Sequence, residues 1–582
     1  MEYQLITPRI PQNGMYSAVE QVLINRGIAP QDIHHFLNTT DKDILDPKLF
    51  ENIKDGSKML VKHIANGDKV LVVVDCDCDG FTSSALLLNY LNCLFPAFVR
   101  NNISYHIHTG KVHGIEMEVI PNDVKLVITP DSASNQFEEH KTLQKKGVDV
   151  LVLDHHEADY ISNYACVINN QLSNYPTKSL AGVGVVYKFC SYLDEIMNTD
   201  YANQFIDLVA LGCIADMVEL KEFETRHLVV SGINQINNPF FKGMVDKQAF
   251  QLKDGITPFG IAFYIAPYVN ATIRVGSQEE KLMLFESMLD YRGYELIPST
   301  KRGCKGQTET RVEQACRNCS NIKNRQTKAR DASLEIIERL IETNNLLNNK
   351  LLIIQLDNYD EDTKSLTGLI ANQLMSKYKR PVLLLRKTEL GWEGSARTVG
   401  DSKLANFKDF LSDSNCFEYC EGHQGAFGCG IQDQKLKEFI NYSNNYLRNY
   451  DFSPNYKVDF IYDNRNRSLN EKDILDIASL ESVWGQGIEE PLIAIENVGI
   501  KKGDIQLLSA DKNPTLKIKL TDNCAAIKFR SSKEEYENLY TELGCVTINI
   551  VGKCKRNIWN GNISPQIIIE DYEIIYKQDY YF

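Results

Sequence analysis

Apolar residues run without a break from Val70 to Val74, and the run ends on Asp75-Cys76-Asp77-Cys78-Asp79-Gly80. An uninterrupted run of this kind predicts a strand buried on both faces. Leu126-Val127-Ile128-Thr129-Pro130-Asp131 and Val150-Leu151-Val152-Leu153-Asp154-His155-His156 repeat the pattern, each closing on an acid. Helical patterns such as Ala85 to Leu91 lie between these runs, and the alternation over residues 61–280 predicts a parallel α/β sheet. Residues 1–60 predict short helices: Ser17 to Arg26 has helical spacing, with Gly27 placed as a C-cap. In 281–349, Leu334, Ile337, Leu340 and Ile341 form an amphipathic stripe that predicts a long helix connecting two lobes. Residues 350–450 predict a second α/β unit, with strands at 350–354 and 381–385 and a helix near 366–378. Beyond Pro454 the texture changes. Runs at 515–520, 524–530, 545–552 and 566–576, separated by Asp, Asn and Gly turns, predict a small β-barrel within 455–582.

At 582 residues the chain implies about three or four domains. Its 43% hydrophobic and 24% charged content is that of an ordinary globular protein. No run approaches the ~18 apolar residues of a membrane span, and Met1-Glu2-Tyr3-Gln4-Leu5 is neither a basic leader nor a signal core. Fifteen scattered cysteines, an odd number, point to reduced thiols in a cytoplasm. Cys316 and Cys319, with Cys304 upstream, make a poor zinc set, because structural zinc wants four ligands. Free thiols on a helical surface are expected there. A net charge of −14 argues against indiscriminate nucleic-acid binding but allows a local basic groove. Residues 301–330 are the densest basic stretch and read equally as such a groove or as a solvated helix face.

Asp75, Asp77 and Asp79 sit at alternate positions, which in extended backbone would place all three on one side. Like charges gathered at the mouth of a sheet call for a cation. Asp131, Asp154 with His155 and His156, and Asp216 in a small-residue segment add to the set. Ligands at the carboxyl ends of parallel strands fall where such sheets bind substrates. Oxygen and imidazole donors suit Mn²⁺ or Mg²⁺ better than a thiolate zinc site.

At these residues the chain resembles the DHH phosphoesterases, and within them the RecJ-like exonucleases. The motifs are the DxDxDG block with Thr82 and Ser83, the isolated Asp131, Asp154-His155-His156, and Gly212-x-x-Ala215-Asp216. Leu180 to Val185, Asn270 to Arg274, Gly394-Ser395-Ala396-Arg397 and Gly422-His423 are similar to further elements of that branch. The resemblance runs from about Val22 to the C-terminus. It implies a parallel-sheet DHH domain, a DHH-associated α/β lobe joined by a long helix, and a C-terminal OB-like barrel. It also implies two divalent ions, Mn²⁺ or Mg²⁺, held by Asp77, Asp79, Asp131, His155 and Asp216. Asp75 and Asp154 would share an ion or orient its ligands, and His156 would act as general acid. Arg274, Asn270 and His423 would hold the scissile phosphate, and Ser395 with Arg397 a 5′-terminal phosphate. Lys111 stands where relatives commonly have an Arg, and Lys lacks its bidentate fork. Glu421 before Gly422, and Asn358 to Asp362, also depart from the family pattern.

The implied activity is 5′ to 3′ hydrolysis of single-stranded DNA to 5′-mononucleotides, in recombination and repair. The alternative is a phosphoesterase acting on short oligoribonucleotides or another small phosphate ester. The expected setting is a cytoplasmic monomer in a prokaryotic or phage-infected cell, working beside a helicase or single-strand-binding protein.

Overall fold

The computed structural model describes all residues except 7–15, 110–111, 360, 399–403, 405, 467–468, 510–512 and 579–582, and the side chains of 361–363, 365 and 466. The chain divides into two compact units. One comprises Arg26–Lys323 with Leu480–Glu490; the other comprises Met1–Asn25, Asn324–Ser479 and Pro491–Phe582.

The first unit is built on a five-stranded parallel sheet. Its spatial order is Ile103–Ile107, Lys69–Val74, Val124–Pro130, Asp149–Asp154 and Cys166–Asn169. Alternate side chains enter two different cores. Val70, Val72, Val74, Leu126 and Leu151 pack on one face, and Leu71, Val73, Val127, Val150 and Val152 on the other. Covering both faces is what makes these segments read as unbroken apolar runs. In chain order the strands lie 2-1-3-4-5, so winding reverses between Lys69–Val74 and Val124–Pro130. A crevice for ligands opens at such a reversal, beyond the carboxyl ends of the strands.

The expectation of strands as far as residue 280 is corrected: the sheet ends at Asn169, and helices follow from Gly182 to Gly293. Among them, Gly182–Met197, Ile206–Ala215 and Ala266–Val275 pack against Cys78–Leu94. Ile206–Ala215 is apolar all round because it is buried all round. Cys316 and Cys319 are 5% and 1% exposed, so they are core thiols and not surface ones. The basic stretch after 301 is largely occupied in ion pairs. Glu309, itself buried, binds Arg317 and Lys301, and Arg311 binds Glu286 and Glu295. Neither a groove nor a solvated face describes these three cations.

The 33-residue helix Arg311–Thr343 begins in the first unit and ends in the second. There Leu334, Ile337 and Ile341 pack against Leu352, Ile354 and Leu366. The DHH-associated lobe carries a five-stranded sheet ordered Phe417–His423, Ala426–Ile431, Trp392–Arg397, Val382–Lys387 and Leu352–Leu356. The C-terminal sheet has seven strands of mixed direction, from Phe460–Asp463 at one end to Ile505–Leu508 at the other. These end strands do not pair with each other among the described residues.

The first residues are not helical as expected. Glu2–Leu5 is a strand, paired in parallel with Asn455–Val458 of the second unit. Tyr3 Oη donates to Glu496 at 2.8 Å, and the Met1 amino group donates to Glu573 at 3.2 Å.

Candidate metal centre

The acidic block is not one extended segment. The strand stops at Val74 and a helix starts at Cys78, so the turn between them, and not alternation, gathers the carboxylates. Asp77 caps that helix, accepting from the Gly80 amide at 2.9 Å. Asp79, in the first turn, accepts from the amides of Gly182 (2.6 Å) and Val183 (3.1 Å), which open the helix Gly182–Met197. A helix N-terminus favours a carboxylate. The donor atoms of Asp75, Asp77 and Asp131 form one close group, and those of Asp79, His155 and Asp216 another. Asp216 terminates Ile206–Ala215, followed by Met217 at φ +58°.

Asp131 follows its strand at φ +65°, a conformation that Asp tolerates better than most residues. His155 Nε2 lies 3.2 Å from Asp131 Oδ1, 3.7 Å from Asp216 Oδ2 and 3.8 Å from Asp79 Oδ2. Both Asp131 oxygens and His155 Nε2 are buried with no hydrogen-bond partner. Orphaned buried polar atoms of this kind cost about 1–3 kcal/mol each unless something binds them. Burial and the neighbouring carboxylates push Asp131 well above the usual range, Asp79 to about 8 and Asp216 to about 7. Burial holds His155 neutral, down at about 4, which is the ligating form. Unpartnered oxygens, mutual repulsion and a neutral imidazole are what a divalent cation relieves. The residues present therefore fit one.

Asp154 has a different role. Its buried carboxylate accepts from the amides of Ser134, His155 and His156 and from His156 Nδ1 at 2.7 Å. Burial is the largest single influence and works against its charge, but the contacts with His156, Ser134 and His155 together outweigh it and hold it at about 2. The same contact raises His156 to about 9, so its half-exposed ring carries a proton at neutral pH. Asp75 does the same for His113, which belongs to none of the motifs named above. It accepts from His113 Nδ1 at 2.7 Å and from the Gly114 amide at 3.1 Å, and raises His113 to about 10. A His in a polar loop offers no spacing rule by which to find it. Lys111 lies outside the described residues.

Asn270 and Arg274 lie on Ala266–Val275, which packs on the helices bearing Asp79 and Asp216. Asn270 Oδ1 is buried without a partner, and Arg274 is exposed in the last turn. Ser395, Arg397 and His423 belong to the second unit. Ser395 Oγ is 3.1 Å from Thr367 Oγ1, and burial lowers the Arg397 guanidinium below its usual value. A Cβ at Gly368 would stand 2.7 Å from Arg397 Nη2, so a larger residue there would push the guanidinium aside. His423 ends its strand next to Gly422, exposed.

Gly182 is equally constrained. A Cβ there would lie 2.4 Å from Asp131 Oδ1 and 2.8 Å from its Cα. Gly182→Ala should therefore cut the cleavage rate by about tenfold or more by displacing a ligand without changing any charge. Rates at saturating Mn²⁺, set beside the circular dichroism spectrum, measure this.

Residues 69–213 match the DHH family, N-terminal domain, and residues 465–571 the RecJ OB domain. The SPbeta prophage-derived protein YorK of Bacillus subtilis, provisionally named a single-strand DNA-specific exonuclease, is 37% identical over 99% of this chain and 98% of its own. The single-stranded-DNA-specific exonuclease RecJ of the same species is 24% identical over 95% of this chain and 67% of its own. RecJ of Thermus thermophilus, crystallised with Mn²⁺, shares the fold at a TM-score of 0.67 and 18% identity, covering 95% of this chain and 77% of that one. The chain belongs to the RecJ-like single-strand-DNA-specific exonuclease family of the DHH phosphoesterases.

Proposed function

We propose that this chain hydrolyses single-stranded DNA from the 5′ end, releasing 5′-mononucleotides, in recombination and repair. The buried, unpartnered Asp131–His155 group carries this reading. Divalent ions, Mn²⁺ or Mg²⁺, held by Asp77, Asp79, Asp131, His155 and Asp216 with Asp75 in support, would supply an activated water and neutralise the developing charge. The protein's part is positional and acid–base. His156, kept protonated by Asp154, donates to the departing 3′-oxygen as the P–O3′ bond breaks, and the water oxygen stays on the new 5′-phosphate. Arg274 and Asn270 of the first unit hold the scissile phosphate, and His423 is a phosphate-binding residue of the second. Ser395 and Arg397 receive the terminal one, which sets polarity.

In the OB-type sheet a cavity is lined by Lys517 and the amides of Gln506, Asn523, Asn557 and Gln566, together with Asp504 and the Lys519–Asp522 ion pair, a polar surface of mixed charge. Trp559, at the tip of the adjoining hairpin, is 72% exposed. Trp559→Ala should weaken binding of long strands by about 1–3 kcal/mol, the worth of one stacked base, and leave cleavage of dinucleotides unchanged. Fluorescence anisotropy across strand lengths reads this directly.

No helix of the described residues is long and apolar enough to cross a membrane. The proposal includes a cytoplasmic monomer that takes single strands from a helicase or a single-strand-binding protein. The alternative substrate, a short oligoribonucleotide, is disfavoured by the OB-type domain, which suits longer strands. A 5′-labelled DNA strand, its RNA equivalent and a dinucleotide, each with Mn²⁺, Mg²⁺ or EDTA, separate the readings. Preference for RNA, release from the 3′ end, or activity in EDTA would each refute the proposal.

A further inference from the structure

His106 and His108 stand on either side of Ile107, where the strand Ile103–Ile107 ends. Alternate positions of an extended segment project the same way. Both imidazoles meet Glu116, which lies just before the short turn Met117–Val119. One carboxylate oxygen, Oε2, is 3.1 Å from His106 Nε2 and 2.7 Å from His108 Nδ1. All three donor atoms lie within 4.8 Å of one another, and the two rings are steeply inclined, at 79°. His108 is fully buried, whereas His106 and Glu116 are each 25% exposed, so the group is open to solvent at one edge.

The ring nitrogens that face Glu116 are His106 Nε2 and His108 Nδ1, and the other nitrogen of His108, Nε2, is buried without a partner. Two imidazoles and one carboxylate form the three-ligand set of open zinc sites, with a fourth position left for water. Tetrahedral zinc with ligands at ~2.0–2.2 Å separates neighbouring donors by about 3.4 Å. The spacings of 3.1 and 2.7 Å are within an ångström of that value. The set also differs in kind from the carboxylate-rich catalytic group, which suits Mn²⁺ or Mg²⁺. The backbone is held independently of any ion. Gln278 Nε2 donates to the Ile107 carbonyl at 2.6 Å, and the buried Lys281 ammonium to that of His108 at 3.3 Å.

We propose that His106, His108 and Glu116 bind a zinc ion distinct from the catalytic ions. The ion ties the end of the strand to the far side of the loop between His108 and Glu116. That loop carries His113 and Gly114, the two residues that hydrogen-bond Asp75. The zinc is thus a fastening for the segment that steadies the catalytic carboxylates.

The test uses full-length protein loaded with Zn²⁺, dialysed into Mg²⁺ buffer, and analysed for metal per chain by mass spectrometry. Wild type and the catalytic variant Asp131→Asn should both retain one zinc. Glu116→Gln and His106→Gln should bind zinc at least about tenfold more weakly. His106, partly exposed, is the second variant should Glu116→Gln misfold. Zn²⁺ should also raise the melting temperature of wild type and leave that of His106→Gln unmoved. The proposal is overturned if wild type retains no zinc, if the site variants retain as much as wild type, or if Asp131→Asn alone loses it.

Discussion

Asp131→Ala is expected to eliminate cleavage, by about 10³-fold or more, in a protein that still folds. Losing an ion's placement removes several kcal/mol of transition-state stabilisation, and each 1.36 kcal/mol is tenfold. Asp131 is the cleaner choice over Asp79, whose removal would orphan the Gly182 and Val183 amides. Stability tells the same story from the other side. In EDTA, Asp131→Asn should melt above wild type, by about 2–4 °C for each kcal/mol of repulsion removed. Added Mn²⁺ should stabilise wild type by mass action and the variant far less. Metal-free wild type should also lose stability as pH rises. Asp79 and Asp216 have folded pKa values of about 8 and 7, above the unfolded 3.8. Folding therefore takes up their protons, and the associated stability is complete below about pH 4 and lost as pH passes through 7 to 8. Thermal melts from pH 4 to 9, with and without Mn²⁺, check the sign. A wild type that melts higher at pH 8 than at pH 5 without metal would contradict the assignment.

Arg397→Ala is expected to damage degradation of 5′-phosphorylated strands selectively. The guanidinium is partly buried beside Ser395 and Thr367, where a charge-assisted contact to phosphate is worth about 1.5–3 kcal/mol. That predicts about ten- to hundredfold lower kcat/KM with a 5′-phosphate and a smaller loss with a 5′-hydroxyl. Comparing the two ends controls for misfolding, which lowers both alike. Equal losses would remove this pocket from the account of polarity.

The three central strands of the parallel sheet were legible because burial on both faces leaves few polar positions within them, and each leads into the acid it positions. The helical half of that domain was not, since a helix buried all round, such as Ile206–Ala215, has no polar face and mimics a strand run. The alternation of Asp75, Asp77 and Asp79 was a misleading guide: a strand-to-helix turn interrupts it and places Asp75 and Asp77 in one donor group and Asp79 in another. The strand at Glu2–Leu5 was missed because its partner lies 453 residues away, and four residues carry no period of their own. The pairing of Asp75 with His113 escaped for a related reason, being a contact across a loop with no motif spacing.

That distant strand pairing also constrains the order of events during synthesis. Glu2–Leu5 is made well before Asn455–Val458, its only strand partner among the described residues. At translation speeds of about 5–20 residues per second, roughly 20–90 seconds separate the two. Throughout that interval Arg26–Lys323, the greater part of the first unit, is made while the earlier strand waits with an unsatisfied edge, and the Leu480–Glu490 segment of that unit comes later still. The second unit therefore cannot close vectorially from its N-terminus, and its assembly is a late step, coupled to the emergence of the OB-type sheet.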